Sequence, residues 1–256
     1  VSIVLEVQHL EKSFGGVPVL KDVSFAVHSG EVVALAGENG AGKSTIFKIV
    51  TGQVRPDGGT VIIGGKAHDR LDTREAREAG IGIVPQELAP YPDLTVYENL
   101  FVGRELRNPL GILRRQAMVT QAKEMLDVFG VNIDPKLKMN RLSTALTQIV
   151  EIVKATTWGA NLILLDEPTS SMPEQEVARL YAVIDQLKQR GVAMMYTTHR
   201  MQEIQDLADR VLVMRDGVLV MDEVVAKAGS ESVIKAMIGR DLDNLFPALP
   251  KPTRET

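Results

Sequence analysis

The chain contains no cysteine. Disulfides and thiolate metal centres are therefore excluded, and cysteine usage says nothing about redox compartment. No run of apolar residues approaches the ~18 needed to cross a bilayer, and no secretory signal pattern is read at the start. A membrane role would then require a separate membrane subunit. Basic charge is not in excess either. Twenty-nine Lys and Arg against 33 Asp and Glu leave a net charge of −4, with a pI of about 5.7. Nucleic-acid binding as a bulk electrostatic property is not expected. What is present is an ordinary composition, 45% apolar and 24% charged over 256 residues. That suits one large domain or two small lobes with a sizeable core.

One stretch organises the rest. Gly37-Glu38-Asn39-Gly40-Ala41-Gly42-Lys43-Ser44-Thr45 fits G-x-x-x-x-G-K-[ST], the phosphate-binding loop. The apolar run 31–36 before it reads as a buried strand, and 45–51 after it reads as a helix closed by Gly52. Strand, glycine loop and helix form the context that the motif requires. Glycines let the backbone curl so that successive N–H groups point at one anion, and the helix presents its positive end to the same anion. Lys43 would reach the β- and γ-phosphates of a nucleotide, and the Ser44 hydroxyl would ligate Mg²⁺.

Around this loop the chain predicts short strands at 3–7, 23–27 and 60–63, separated by glycine turns, as an antiparallel sheet wrapped around the phosphate-loop strand. Single histidines at 9, 28 and 68 have no clustered partners and read as surface or loop residues. Buried strands follow at 81–84, 161–165 and 192–197, and a hairpin crosses Asp216-Gly217. Helices are expected near 74–79, from 94, over 114–129, after Ser143 as N-cap, over 174–190 and over 230–238. From about 88 to 156 the pattern is helical without a strong strand, which marks an inserted lobe. Beyond Asp241 the chain turns proline-rich, which reads as a linker or tail.

Buried strands alternating with helices predict an α/β fold with a mostly parallel core sheet, in which ligands sit at the carboxyl ends of strands. Gln86, the Asp166-Glu167 pair and His199 each close one of those strands. Two carboxylates ending an all-apolar strand need a cationic partner, because unpaired buried charge costs several kcal/mol or more. A metal ion beside the phosphate loop would be that partner. Phosphoryl-transfer chemistry then suggests the roles. Asp166 would hold Mg²⁺, and Glu167 would act as general base toward the attacking water. Gln86 would touch metal and water, and His199 would hydrogen-bond the γ-phosphate.

Phosphate loop, Gln86, Leu142-Ser143, Leu164-Leu165-Asp166-Glu167-Pro168-Thr169 and His199 occur in the order of the ATP-binding-cassette ATPases, and the chain resembles them from about 3 to 246. The resemblance implies a P-loop NTPase fold with an N-terminal antiparallel β subdomain and an inserted α-helical lobe. The expected boundaries are a nucleotide-binding domain over 1–246, with the lobe at about 88–156, and a linker over 247–256. It implies ATP and Mg²⁺ as ligands, with Phe14 stacking on adenine. It also implies head-to-tail pairing, in which Ser143, Thr144 and Ala145 of the signature segment complete the partner's ATP site. The chain is most similar to the first cassette of tandem sugar-type bacterial importers. That likeness rests on the phosphate loop, on Val150-Glu151-Ile152 and on Asp241-Leu242-Asp243-Asn244-Leu245-Phe246-Pro247.

The implied partners are a second cassette in the same polypeptide, transmembrane permease subunits contacted by the helical lobe and, indirectly, a periplasmic or extracellular solute-binding protein, with no nucleic acid. The implied place is the cytoplasmic face of the bacterial membrane. Two departures stand out. Where the family has Leu-Ser-Gly-Gly-Gln this chain has Leu142-Ser143-Thr144-Ala145-Leu146, and a methyl at Ala145 is expected to hinder backbone approach to a γ-phosphate. Ser171-Met172-Pro173 stands where Ser-Ala-Leu-Asp is frequent, so Pro173 lacks both an acidic side chain and an N–H. The alternatives are a soluble cassette tied to translation or iron–sulfur assembly, and a cassette that senses nucleotide without hydrolysing it.

Overall fold

A computed structural model describes residues 2–68, 71–157, 159–170 and 172–239. The expected tail beyond Asp241, and Ser171, lie outside the described residues.

Two sheets carry the chain. In the first, β1 (Ile3–Phe14) and β2 (Val17–His28) pair antiparallel across Gly15-Gly16. β1 also pairs with β4 (Gly58–Ile63), which pairs with β5 (Lys66–His68) across Gly64-Gly65, in the order β2-β1-β4-β5. The second sheet has six strands, in the order β10-β9-β3-β8-β7-β6. Five are mutually parallel: β9 (Arg210–Arg215), β3 (Val32–Ala36), β8 (Ala193–Thr198), β7 (Leu162–Leu165) and β6 (Ile81–Val84). The antiparallel edge strand is β10 (Val218–Val224).

Strand geometry explains why the parallel strands read as unbroken apolar runs. Successive side chains of β3 point to opposite faces. Val33 and Leu35 join one hydrophobic cluster with Leu5, Val27, Ile46 and Phe47, beneath the antiparallel sheet. Val32, Ala34 and Ala36 join the other, with Leu100, Leu126, Val153 and Ile184 from the helices. With both faces covered, no position on β3, β7 or β8 is exposed. The phosphate-loop strand is therefore a member of the parallel sheet, and the antiparallel sheet packs against one of its faces.

β1 and β2 are each far longer than the five-residue strands expected from the sequence. Register shifts fall after Val7 and Leu10, and His9 and Asp22 take left-handed φ values of 51° and 57°. Such bulges break the period-2 pattern that would otherwise extend the strands. His9 Nδ1 and Asp22 Oδ1 are 2.6 Å apart on the exposed bulge, so this histidine has a carboxylate partner.

Eight α-helices are present among the described residues. α1 (Lys43–Val50) lies buried beneath the antiparallel sheet. α2 (Thr73–Glu78) and α3 (Val96–Phe101) each begin with a full capping box, Asp72 with Glu75 and Thr95 with Glu98, a motif that satisfies two otherwise unpaired amides. α3, α4 (Arg115–Val128) and α5 (Thr144–Thr157) fill the stretch between β6 and β7. α6 (Glu174–Gln189), α7 (Met201–Leu207) and α8 (Ser230–Ile238) complete the set.

Candidate functional site

The strand order decides which loops meet. β3, β8, β7 and β6 are consecutive neighbours, with Leu35 opposite Thr197, Leu165 opposite Tyr196 and Val84 opposite Leu165. Their carboxyl ends carry the phosphate loop, His199, Asp166-Glu167 and Gln86 respectively. A cavity of about 530 Å³ brings Asn39, Gly40 and Gly42 to Thr45 together with Gln86, Asp166 and Glu167.

The phosphate loop is shaped by glycines where nothing larger fits. A Cβ on Gly37 would lie 2.3 Å from the Met214 carbonyl oxygen, and one on Gly42 would lie 2.7 Å from Leu20 Cδ2. Gly42, at φ 105°, is the N-cap of α1 and supplies no side-chain cap. The first amides of α1 are thus left for an anion. Lys43 begins that helix and is only 7% exposed. Its Nζ donates to Gly37 O at 2.7 Å and Glu38 O at 2.9 Å. Burial pushes its ammonium below the ordinary lysine range, and the carboxylates of Glu167 and Asp166 push it back up.

Opposite stands Glu167, whose two carboxylate oxygens face the two polar strand-end residues. Gln86 Nε2 donates to Oε2 at 3.0 Å, and His199 Nδ1 lies 3.5 Å from Oε1. Three residues 32 or more positions apart thus meet on one carboxylate. Of the remaining candidates, Gly37 and Ala41 are buried behind the loop. Phe14 ends β1, is 48% exposed and has Lys12 Nζ 5.3 Å from its ring centroid. It does not line the cavity. Neither do Ser143, Thr144 and Ala145, which open α5.

The signature segment departs from expectation in one respect. Ala145 is fully buried, so its methyl packs inward. Instead Ser143 Oγ donates to Glu176 Oε2 at 3.1 Å and accepts only a long bond from Leu146 N at 3.4 Å. Pro173 takes the N-cap position of α6 at φ −60°, a conformation that proline favours. Sequence reasoning missed Glu176, and also Thr197, whose hydroxyl contacts Asp166 and Glu167. The available signal for Thr197 was a pair of threonines closing an apolar strand.

The family profile described as "ABC transporter" matches residues 20–170, more than half of the chain. The chain belongs to the ABC transporter family. Among its relatives are the ribose import ATP-binding protein RbsA of Hahella chejuensis, 42% identical over 95% of this chain and 48% of that protein, and RbsA of Bacillus licheniformis, 42% identical over 98% and 51%. A putative ribose/galactose/methyl galactoside import ATP-binding protein of Halalkalibacterium halodurans is 39% identical over 97% and 48%. The cassette spans about half the length of these relatives. Its fold matches the ADP conformation of MJ1267, an ATP-binding cassette of an ABC transporter, with a TM-score of 0.80 at 24% identity over 92% of this chain and 94% of that one. A nucleotide-free cassette gives 0.78 at 25% identity over 93% and 96%.

Proposed function

We propose that this cassette binds and hydrolyses ATP as a subunit of a bacterial importer for a sugar or similar small polar solute. The observation that carries the reading is the single cavity in which Lys43 and Ser44 face Gln86, Asp166 and Glu167. The relatives' names supply the direction of transport and the solute class. It is tested by MgATP hydrolysis in the assembled transporter; absence of nucleotide-dependent turnover there would overturn it.

The donor set fits Mg²⁺ only together with a nucleotide. Among the described residues no group of three or more Asp, Glu or His could hold a metal ion alone. Mg²⁺ is characteristically bound by one or two carboxylates plus substrate phosphates and waters. Ser44, Asp166 and Gln86 would hold it, and it would supply charge neutralisation on the β- and γ-phosphates. The remaining work falls to the chain itself. Lys43 and the first amides of α1 bind and orient the phosphates. Glu167 accepts a proton from the water that attacks the γ-phosphorus, as the bond to the ADP oxygen breaks. His199 hydrogen-bonds the γ-phosphate, and Gln86, already on Glu167, registers whether that phosphate is there.

Phe14 stacks on adenine in this reading. Phe14→Ala is then expected to weaken adenine nucleotides by ~1–3 kcal/mol, with Phe14→Tyr near neutral. Phe14 is about half exposed, so its loss should cost little stability. Nucleotide titrations showing unchanged affinity in the alanine variant would remove the stacking role.

No helix among the described residues is long and apolar enough to cross a membrane. The cassette would attach to the cytoplasmic face of the cell membrane through permease subunits, which receive solute from a binding protein. A second cassette, in the same polypeptide, would pair with it. The permease is expected to dock on the helical lobe around 87–99. There Tyr91 is 52% and Leu94 36% exposed, while Asn99 is buried and braces the turn by accepting from Tyr91 N at 2.8 Å. Because the chain lacks cysteine, Tyr91→Cys or Leu94→Cys gives one defined crosslinking site. Crosslinks to the permease from probes in 200–239, and none from these two positions, would contradict the placement.

A further inference from the structure

The Asp166 carboxylate and the Glu167 main chain, on which the proposed hydrolysis depends, are held by buried hydroxyls of β8. Thr197 is fully buried in β8. Its Oγ1 donates to Asp166 Oδ1 at 2.6 Å and accepts from the Glu167 amide at 2.8 Å. The second of these acts on a backbone that resists its conformation. Glu167 has φ 43°, a left-handed value uncommon for a non-glycine residue, which persists only where surrounding structure enforces it. One hydroxyl thus fixes the carboxylate of one residue and the main chain of the next.

Thr198, next along the strand, points to the opposite face. Its Oγ1 donates to Glu203 Oε2 at 2.6 Å. Glu203 Oε1 accepts a short bond from Thr169 Oγ1 and lies 3.0 Å from Arg200 Nη1. Glu203, Thr169 and Thr198 are all at most 5% exposed. The Tyr196 hydroxyl, also buried, donates to the Glu203 carbonyl at 2.9 Å. The ring therefore closes: Thr197 to Asp166, along the loop to Thr169, across Glu203 to Thr198, and back along β8. His199 is the residue immediately after that closure, and the Arg200 amide is tied to Thr198 Oγ1 at 3.0 Å.

We propose that Thr197 and Glu203 are positioning residues that hold Glu167, Asp166 and His199 in register with one another across β7 and β8. Glu203 lies outside the cavity, and Thr197, at its wall, has its hydroxyl committed to Asp166 and the Glu167 amide. Thr197 sets where the general base points, and Glu203 sets the spacing between the Asp166–Thr169 loop and the loop that carries His199. Buried polar networks of this kind specify one geometry when every member is satisfied, and small displacements of a catalytic group lower rate far more than affinity. The inference rests on the reading of Glu167 and His199 given above.

The test is steady-state ATPase and nucleotide affinity of the assembled transporter carrying Thr197→Val, Thr197→Ser, Glu203→Ala or Glu203→Gln, with Glu167→Gln as the zero of activity. Thr197→Val keeps the shape and removes both hydrogen bonds. It should lower kcat ten- to a hundredfold with KM and MgADP affinity within about twofold. Thr197→Ser, which keeps the hydroxyl, should recover most of that loss. Glu203→Ala should lower kcat similarly, and Glu203→Gln, which keeps one acceptor, should lie between. Thr197→Val at half or more of the wild-type kcat would overturn the proposal, as would a serine variant no better than valine. A kcat loss matched by an equal loss of affinity would do the same, because that is the mark of a merely structural role. Where Thr197→Val does not fold, Glu203→Gln decides by the same criteria. If the wild-type transporter hydrolyses ATP and Glu167→Gln does not, the parent reading stands whatever the ring variants do.

Discussion

Lys43→Ala is expected to weaken MgATP binding a hundredfold or more while leaving the fold in place. Among the described residues, the ammonium at this position is the one compact positive charge lining the cavity. It sits at the first turn of α1, nearly out of water, with its hydrogen bonds directed at two main-chain carbonyls, Gly37 O and Glu38 O. Bonds to charged partners contribute ~1.5–3 kcal/mol each. Losing two phosphate contacts therefore removes about 3 kcal/mol or more, equivalent to two decades in Kd. Glu38 is exposed, so water can replace the ammonium on its carbonyl; the buried Gly37 carbonyl loses its partner, a cost of about 1–3 kcal/mol to folding. Lys43→Met, which retains most of the stem, separates packing from charge and should bind as poorly as alanine. Lys43→Arg should not rescue, because a planar fork replaces a point charge. Calorimetric titration with MgATP, beside thermal melts without nucleotide, makes the measurement. Micromolar affinity retained in the alanine variant would remove the phosphate-loop assignment.

What could be read from the chain alone, and what could not, divides along physical lines. The parallel sheet was legible because both of its faces are covered, so β3, β7 and β8 are unbroken apolar runs. The polar residues that end such strands, Asp166-Glu167, Gln86 and His199, stand out against that background. The phosphate loop was legible because only glycine fits at Gly37 and Gly42. The true length of β1 and β2 was hidden, since the bulges at His9 and Asp22 interrupt the alternation that reveals a strand. Contacts between distant residues were hidden for another reason. Thr197 and Asp166 are 31 residues apart, and Ser143 and Glu176 are 33 apart, so only the strand order and the packing of α5 near α6 bring them together. Ala145 shows the converse hazard. A helix start after Ser143 is legible, but which side of its first turn faces the core is not, and Ala145 is fully buried there.

Glu167→Gln is expected to stop nearly all ATP turnover while leaving ATP binding intact, trapping a closed pair of cassettes with nucleotide. The amide has the shape of the carboxylate and can keep its contacts with Gln86 and His199, so positioning survives. What disappears is the proton acceptor, and losing a general base costs typically 10²–10⁴-fold. That the loss should approach the whole activity, and not half of it, follows from the other end of the molecule. In a head-to-tail pair the site built on Lys43 is completed by the partner's signature segment, and the segment around Ser143 completes the partner's site. Here the Ser143 hydroxyl is directed to the Glu176 carboxylate, and Leu146 stands where the family has glutamine. An incoming γ-phosphate would meet an anion where it needs a donor, and like charges at close range are strongly disfavoured. That second site is therefore expected to bind ATP but turn it over slowly, and the flux passes through Glu167. Ala145→Gly should barely change the rate, because the methyl it removes is buried and belongs to the site that does not carry the flux. Steady-state ATPase of the assembled transporter, one substitution at a time, decides the matter. If Glu167→Gln keeps about half of the activity, both sites hydrolyse and the asymmetry fails. A homodimer of this cassette would set two intact phosphate loops against two Ser143–Glu176 contacts, so its ATPase is expected to be weak.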